Sequence, residues 1–169
     1  DYTKFHVVGR TRDDAAGECF DKCARAMGFP YPGGVHIDKA SVSGNKDAYE
    51  LPRPKVTGSE FDFSFSGLKT AVINLLHNSQ QKGIEINKND LSAGIQYTIS
   101  DILCEKTMAA AEMLGYKTIA VAGGVSANSG VRAAFEKACA ERDMKLYLPP
   151  LNLCGDNGAM IACQGYYNY

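Results

Sequence analysis

Two glycine-bearing corners in the last third of the chain carry residue types that hold nucleotides and metals: Gly123-Gly-Val-Ser-Ala-Asn128 and Cys154-Gly-Asp-Asn-Gly-Ala-Met160. The first follows the run Thr118-Ile-Ala-Val-Ala122 and opens a helical pattern. At such a handover, backbone N–H groups and the helix dipole face a bound anion. Gly123 and Gly124 let a ligand approach the backbone with no Cβ in the way, and Asn128 can pair a donor and an acceptor with a purine edge or a ribose. The same residues also describe a tight turn with Asn or Ser as helix cap. In the second corner, Asp156 can bind a hard or borderline cation through oxygen, or accept orphan N–H groups of the following helix. The histidines, His6, His36 and His77, show no HxxxH spacing, so a metal on Asp156 needs ligands from a segment outside this chain.

Three earlier stretches add polar groups. In Arg10-Thr-Arg-Asp-Asp-Ala-Ala-Gly-Glu-Cys-Phe-Asp21, Asp13 and Asp14 suit the positive end of a helix. Asp21, about two turns beyond Asp14, can accept hydrogen bonds from a ribose, or be solvated helix charge beside Lys22 or Arg25. Pro32-Gly33-Gly34 followed by Asp38 puts a carboxylate one helical turn inside a glycine-started helix, where it can point back at a ligand held by the turn. Ser64-Phe-Ser-Gly-Leu-Lys69 invites a phosphate but lacks the GxxxxGK[ST] spacing. Packing by Phe61, Phe63 and Phe65 explains it better.

These residues need elements to position them. Periodicity predicts an extended run at Phe5–Val8 and a helix from Asp13 or Asp14 to a stop at Gly28. A second helix spans about 35–42, and a half-buried strand covers Phe61–Phe65. Further helices start at Ser66-Gly67 and, capped by Asn89 or Asp90, run to about Leu114. A buried strand at 118–122, a helix within 126–142, a strand at 145–148 and a helix at about 157–167 complete the reading. Asn45–Glu60, with Pro52-Arg-Pro54, reads as an exposed excursion. Strands are few for an α/β core, as expected of a sheet whose partners lie elsewhere.

Composition sets outer limits. The 169 residues suffice for one domain, which at about 150 residues buries roughly 68–70% of its unfolded surface. A net charge of −1 advertises no global field for nucleic acid, although a subunit that shares that task is compatible with it. Six cysteines without a CxxC pair fit reduced, mostly buried thiols in a reducing compartment. No run of 18 apolar residues offers a membrane span. The opening Asp-Tyr-Thr-Lys has neither Met nor an apolar leader, which is the expectation for a fragment of something longer.

Taken in order, TRDDAAGECFDKCARAMGFPYPGG, PRP, FDFSFSGLKTA, AVAGGVSANSGVR and LCGDNGAMIA resemble one family over nearly the whole chain: the tRNA threonylcarbamoyladenosine transferases, formerly called O-sialoglycoprotein endopeptidases. The resemblance implies an α/β, actin/Hsp70-like protein of two ribonuclease-H-like lobes, of which residues 1–169 are a helix-rich, incomplete second lobe. The implied reaction moves a threonylcarbamoyl group from threonylcarbamoyl-AMP to N6 of the adenosine beside the anticodon in tRNAs reading ANN codons. Asp21, Gly34, Asp38 and Asn128 match positions that hold the adenylate, with Gly33, Gly123 and Gly124 in support. Asp156 matches a carboxylate ligand of one divalent metal, iron or zinc. The family's HxxxH metal motif and its SGGH phosphate loop precede the region seen here, so the chain alone is expected not to catalyse. Implied partners are tRNA, a smaller paralogous subunit and an ATPase subunit, in the cytoplasm and away from membranes.

Other readings are a metalloendopeptidase acting on O-sialoglycoproteins, a non-catalytic actin-like scaffold subunit, and a sugar or acetate kinase. The first needs an HExxH-type centre that this sequence lacks. A scaffold relative would be expected to lose Asp21, Asp38, Asn128 and Asp156, which are all present. The FSFSGLKTA and DDAAGE motifs speak against the kinase.

Overall fold

The computed structural model describes residues 4–169. Its elements run α1 (Ala16–Ala26), α2 (Gly33–Ser41), α3 (Ser66–Gln81), α4 (Lys88–Leu114), β1 (Thr118–Ala120), α5 (Ser129–Glu141), β2 (Lys145–Tyr147) and α6 (Gly158–Asn168). Short 3-10 turns at Gly124–Ala127 and Leu151–Leu153 lead towards α5 and α6.

α4 is the axis, roughly 40 Å long at 1.5 Å per residue. Its first half buries Leu91, Ile95, Ile99 and Ile102 against Phe20 and Cys23 of α1, Ile37 of α2, and Leu68 and Val72 of α3. Its second half gives Cys104, Met108 and Ala111 to another cluster, with Ile119, Val131, Phe135 and Met144. Leu103 and Val125 pack against both clusters and join them. Each fully buried Leu or Ile stabilises by roughly 1.5–3 kcal/mol, so this helix ties the molecule together. The cap is Asn87, whose side chain accepts the N–H groups of Asn89 and Asp90. The two expected caps are used elsewhere: Asp90 accepts the Asn45 N–H at 2.7 Å, and Asn89 donates to the Ser43 hydroxyl. Gly115, at φ 73°, ends the helix.

The sheet is smaller than the sequence suggests. β1 and β2 pair in parallel, with Ile119 opposite Leu146. Only Ile119 of β1 is buried, so the strand expected to be wholly buried is covered on one face. No strand forms at Phe5–Val8. Phe5 and Val7 are exposed, because no neighbouring strand among the described residues pairs with them. Phe61–Phe65 contributes a single bridge, Thr11 to Phe63. Within it the polar Asp62 is buried, accepting the Arg10 N–H at 2.9 Å and pairing with Arg12.

The first helix also departs from expectation. α1 starts at Ala16 with no side-chain cap. Asp13 instead serves α3, whose own cap position is the apolar Phe65. Its carboxylate accepts the Phe65 and Ser66 N–H groups at 2.8 and 3.2 Å, and both the Ser64 and Ser66 hydroxyls. Asp14 pairs with Lys22 and Lys69. All six cysteines are free and five are buried. Desolvation holds the Cys104 thiol up at about 11, which keeps it protonated and unreactive. Among the described residues no helix is long and apolar enough to cross a membrane.

Candidate nucleotide and metal site

Side chains of α1 and α2 hold the starts of α2 and α5 respectively. Asp21, in the second turn of α1, is half-buried and forms no ion pair with Lys22 or Arg25 among the described residues. Its Oδ1 accepts the Gly33 and Gly34 N–H groups at 2.8 and 3.2 Å. It therefore caps α2 from a neighbouring helix, supplying the acceptor that Pro32 at the cap position cannot. Gly33 is glycine for steric reasons. A Cβ there would lie 2.4 Å from the Ala24 Cβ and 3.0 Å from the Asp21 Cα. At Gly34 a Cβ would meet only ordinary packing, 3.7 Å from the Phe20 Cβ. Neither glycine takes a positive φ.

Asp38 reaches from α2 to the start of α5. It accepts the Ser129 N–H at 3.2 and 3.1 Å through its two oxygens, and the Ser129 hydroxyl as well. Beside it, Asn128 caps α5 by accepting the Val131 N–H at 3.0 Å. The Asn128 amide donates to Gln96 Oε1 at 2.8 Å, and Gln96 in turn donates to the Ser41 hydroxyl. Asn128 is thus only 8% exposed, with both ends of its amide engaged. As found, the helix-cap reading describes this side chain, and a ligand contact would reach its backbone first.

The backbone before Asn128 is open. Gly123 has φ 88°, where a side chain would be strained, and nothing lies within 4 Å of a Cβ placed at Gly123 or Gly124. Val125, in the following turn, lies 3.3 Å from where a Cβ on Gly17 would project, so this corner rests on the start of α1. Asp21 with Gly33 and Gly34, and Asp38 with the Asn128-Ser129 step, are accordingly two hydrogen-bonded links, from α1 to α2 and from α2 to α5.

Asp156 sits apart from these links, just before α6. The cap of α6 is Asn157, which accepts the Met160 N–H at 3.1 Å. The Asp156 carboxylate is exposed and has no hydrogen bond or ion pair among the described residues. It is free to act as one oxygen ligand to a cation. No group of three His, Cys, Asp or Glu side chains gathers among the described residues. The donor set fits a metal only as a partial site that other ligands must close.

Three residues here had escaped sequence reading. Gln96 was legible only as a polar residue inside an apolar helical run. Ser129 was hidden behind its neighbour Asn128. Arg132, whose guanidinium links both corners, ends the AVAGGVSANSGVR motif but has no role assigned by it. A groove of about 730 Å³ between α4 and α5 includes Gln96 and Gly130 in its lining but none of the candidate residues.

Comparison with known proteins bears on the family of the chain. A profile described as tRNA N6-adenosine threonylcarbamoyltransferase matches residues 1–163. Proteins of that name from Bacillus licheniformis and Bacillus subtilis are each 52% identical over 166 residues, 98% of this chain and 48% of theirs. One from Halalkalibacterium halodurans is 49% identical over 158 residues, 94% of this chain and 46% of its own. The chain thus spans about half the length of the curated relatives it matches. Among solved structures, full-length HypF in a phosphate- and nucleotide-bound form superposes with a TM-score of 0.64 over 90% of this chain and 20% of HypF. At 16% identity that likeness concerns the fold alone. With the profile covering all but the last few residues and relatives near half identity, the chain belongs to the tRNA N6-adenosine threonylcarbamoyltransferase family.

Proposed function

We propose that this chain forms the second lobe of a longer, actin/Hsp70-like enzyme that transfers a threonylcarbamoyl group from threonylcarbamoyl-AMP to N6 of the adenosine beside the anticodon in tRNAs reading ANN codons. The observation that supports this reading most is that α2 carries both links: Asp21 of α1 holds its Gly33-Gly34 start, and its own Asp38 holds Ser129 beside Asn128, 91 residues further along the chain. These elements offer two carboxylates for ribose hydroxyls and an open glycine backbone for the adenylate.

In this proposal Asp21 and Asp38 accept from the ribose while keeping their helix-end N–H donors, since a carboxylate has about four lone-pair sites. Gly34 and Gly123-Gly124 admit the nucleotide to the backbone. Asp156 holds one position of a divalent metal, iron or zinc, with the remaining ligands from the preceding half. A bound metal would supply Lewis-acid polarisation and a template for the acyl phosphate. The chain's own contribution is positioning, which for a well-oriented pair can supply roughly 7–11 kcal/mol of barrier reduction. tRNA, a smaller paralogous subunit and an ATPase subunit are the proposed partners, in the cytoplasm.

The test is Asp156→Ala in the full-length protein. The expected outcome is loss of bound metal by elemental analysis, together with loss of threonylcarbamoyl transfer to tRNA. Full metal occupancy with normal transfer would exclude the ligand role.

A further inference from the structure

Arg132, one turn into α5, stands between the two corners. Its Nε donates to the Ser126 carbonyl at 2.7 Å, and its Nη2 donates to the Pro149 carbonyl and, at 3.4 Å, to the Cys154 sulfur. Ser126 is in the glycine corner, whereas Pro149 and Cys154 lie on the stretch leading into Asp156. Of that stretch only Cys154 is buried, and α6 beyond it has no buried residue. The stretch closes its own turns, with the Leu153 N–H on the Pro150 carbonyl and the Asn157 amide on the Gly155 carbonyl. Among the described residues, the hydrogen bonds that tie it to α5 come from this guanidinium.

A planar fork of donors can hold three acceptors at fixed angles, which a flexible ammonium cannot. We infer that Arg132 is a positioning residue. It fixes Asp156 relative to the Gly123–Asn128 corner, so that metal and nucleotide are held at one spacing. This rests on the metal role proposed for Asp156. Partners that orient a metal ligand typically change metal affinity by about 10–100-fold when removed.

The experiment uses the full-length protein carrying Arg132→Lys, Arg132→Gln, Asp156→Ala, or Arg132→Gln together with Asp156→Ala. Divalent-metal affinity is measured by chelator competition, and AMP affinity on metal-free protein. Both Arg132 variants should bind metal about 10–100-fold more weakly, with AMP affinity unchanged. Arg132→Gln should cost nothing further once Asp156 is gone, because both changes act through one ligand. A merely structural arginine would weaken metal and AMP together, and would add to Asp156→Ala. Either of those results overturns the inference, as does unchanged metal affinity in both Arg132 variants when Asp156→Ala loses metal. If Asp156→Ala keeps its metal, the underlying metal reading falls and this inference with it. Should Arg132→Gln fail to fold, Arg132→Lys, which keeps charge and stem but loses the fork, gives the same metal and AMP readings, and its pairing with Asp156→Ala supplies the additivity test.

Discussion

Asp13 is an exposed carboxylate that accepts four hydrogen bonds. Desolvation pushes its carboxyl up, but the Ser64 hydroxyl, the Phe65 N–H and the Ser66 donors outweigh it and hold the group down at about 2. With the folded value below the unfolded one, the stabilisation is complete above about pH 4 and is lost as pH falls through about 2. Asp13→Ala should cost about 1 kcal/mol, the usual value of a helix cap. Comparing wild type and variant by denaturant unfolding at pH 7 and pH 2 should show that difference shrinking at the lower pH. An equal difference at both would remove the cap. The role was illegible in sequence because it is a through-space bond across some fifty residues: Asp13 and Asp14 look like caps for the helix they precede. The Ser64–Lys69 loop, which invited a phosphate, has its helix end filled by this carboxylate.

At the level of elements, what could be read depended on whether a signal was local. α2 appears within two residues of its predicted limits, and Gly28 and Gly115 stop α1 and α4 at φ 77° and 73°, because a left-handed stop is chosen by the residue itself. Strands are not local. Phe5–Val8 has β-type residues and no ladder, since the ladder depends on a neighbour. Gly33 falls between these cases. Its identity was visible, but its reason is the approach of α1 to α2 at Ala24. Gly33→Ala should therefore destabilise by roughly 1–3 kcal/mol through overpacking. Ala24→Gly on top of it should recover much of that loss, as read by thermal unfolding of the full-length protein. No recovery would place the strain elsewhere.

For the molecule as a whole, the family was legible because five ordered motifs stand in the chain. What they assemble into was not. The sequence offered Asn128 as a helix cap, but not that Asp21 and Asp38 hold the starts of α2 and α5 from other elements, nor that Asn157 caps α6 and leaves Asp156 free. α6 exposes Met160, Ile161, Tyr166 and Tyr167, and the chain spans about half of its relatives. The 169-residue chain by itself should show no transfer of threonylcarbamoyl to tRNA when supplied with the adenylate, metal and partner subunits, whereas the full-length protein should. Turnover by the isolated chain at the full-length rate would refute the two-lobe reading.

The acceptors that Arg132 has chosen are two carbonyls and a thiol, with no carboxylate at ion-pair distance among the described residues. Dissolved ions compete for charge partners and screen them over about 10 Å at 0.1 M, so exposed pairs such as Arg53 with Glu105 loosen as ionic strength rises. A cation fastened to neutral dipoles offers salt no counter-charge to displace. The brace between the two corners is thereby insulated from the ionic conditions that any polyanionic substrate would bring with it.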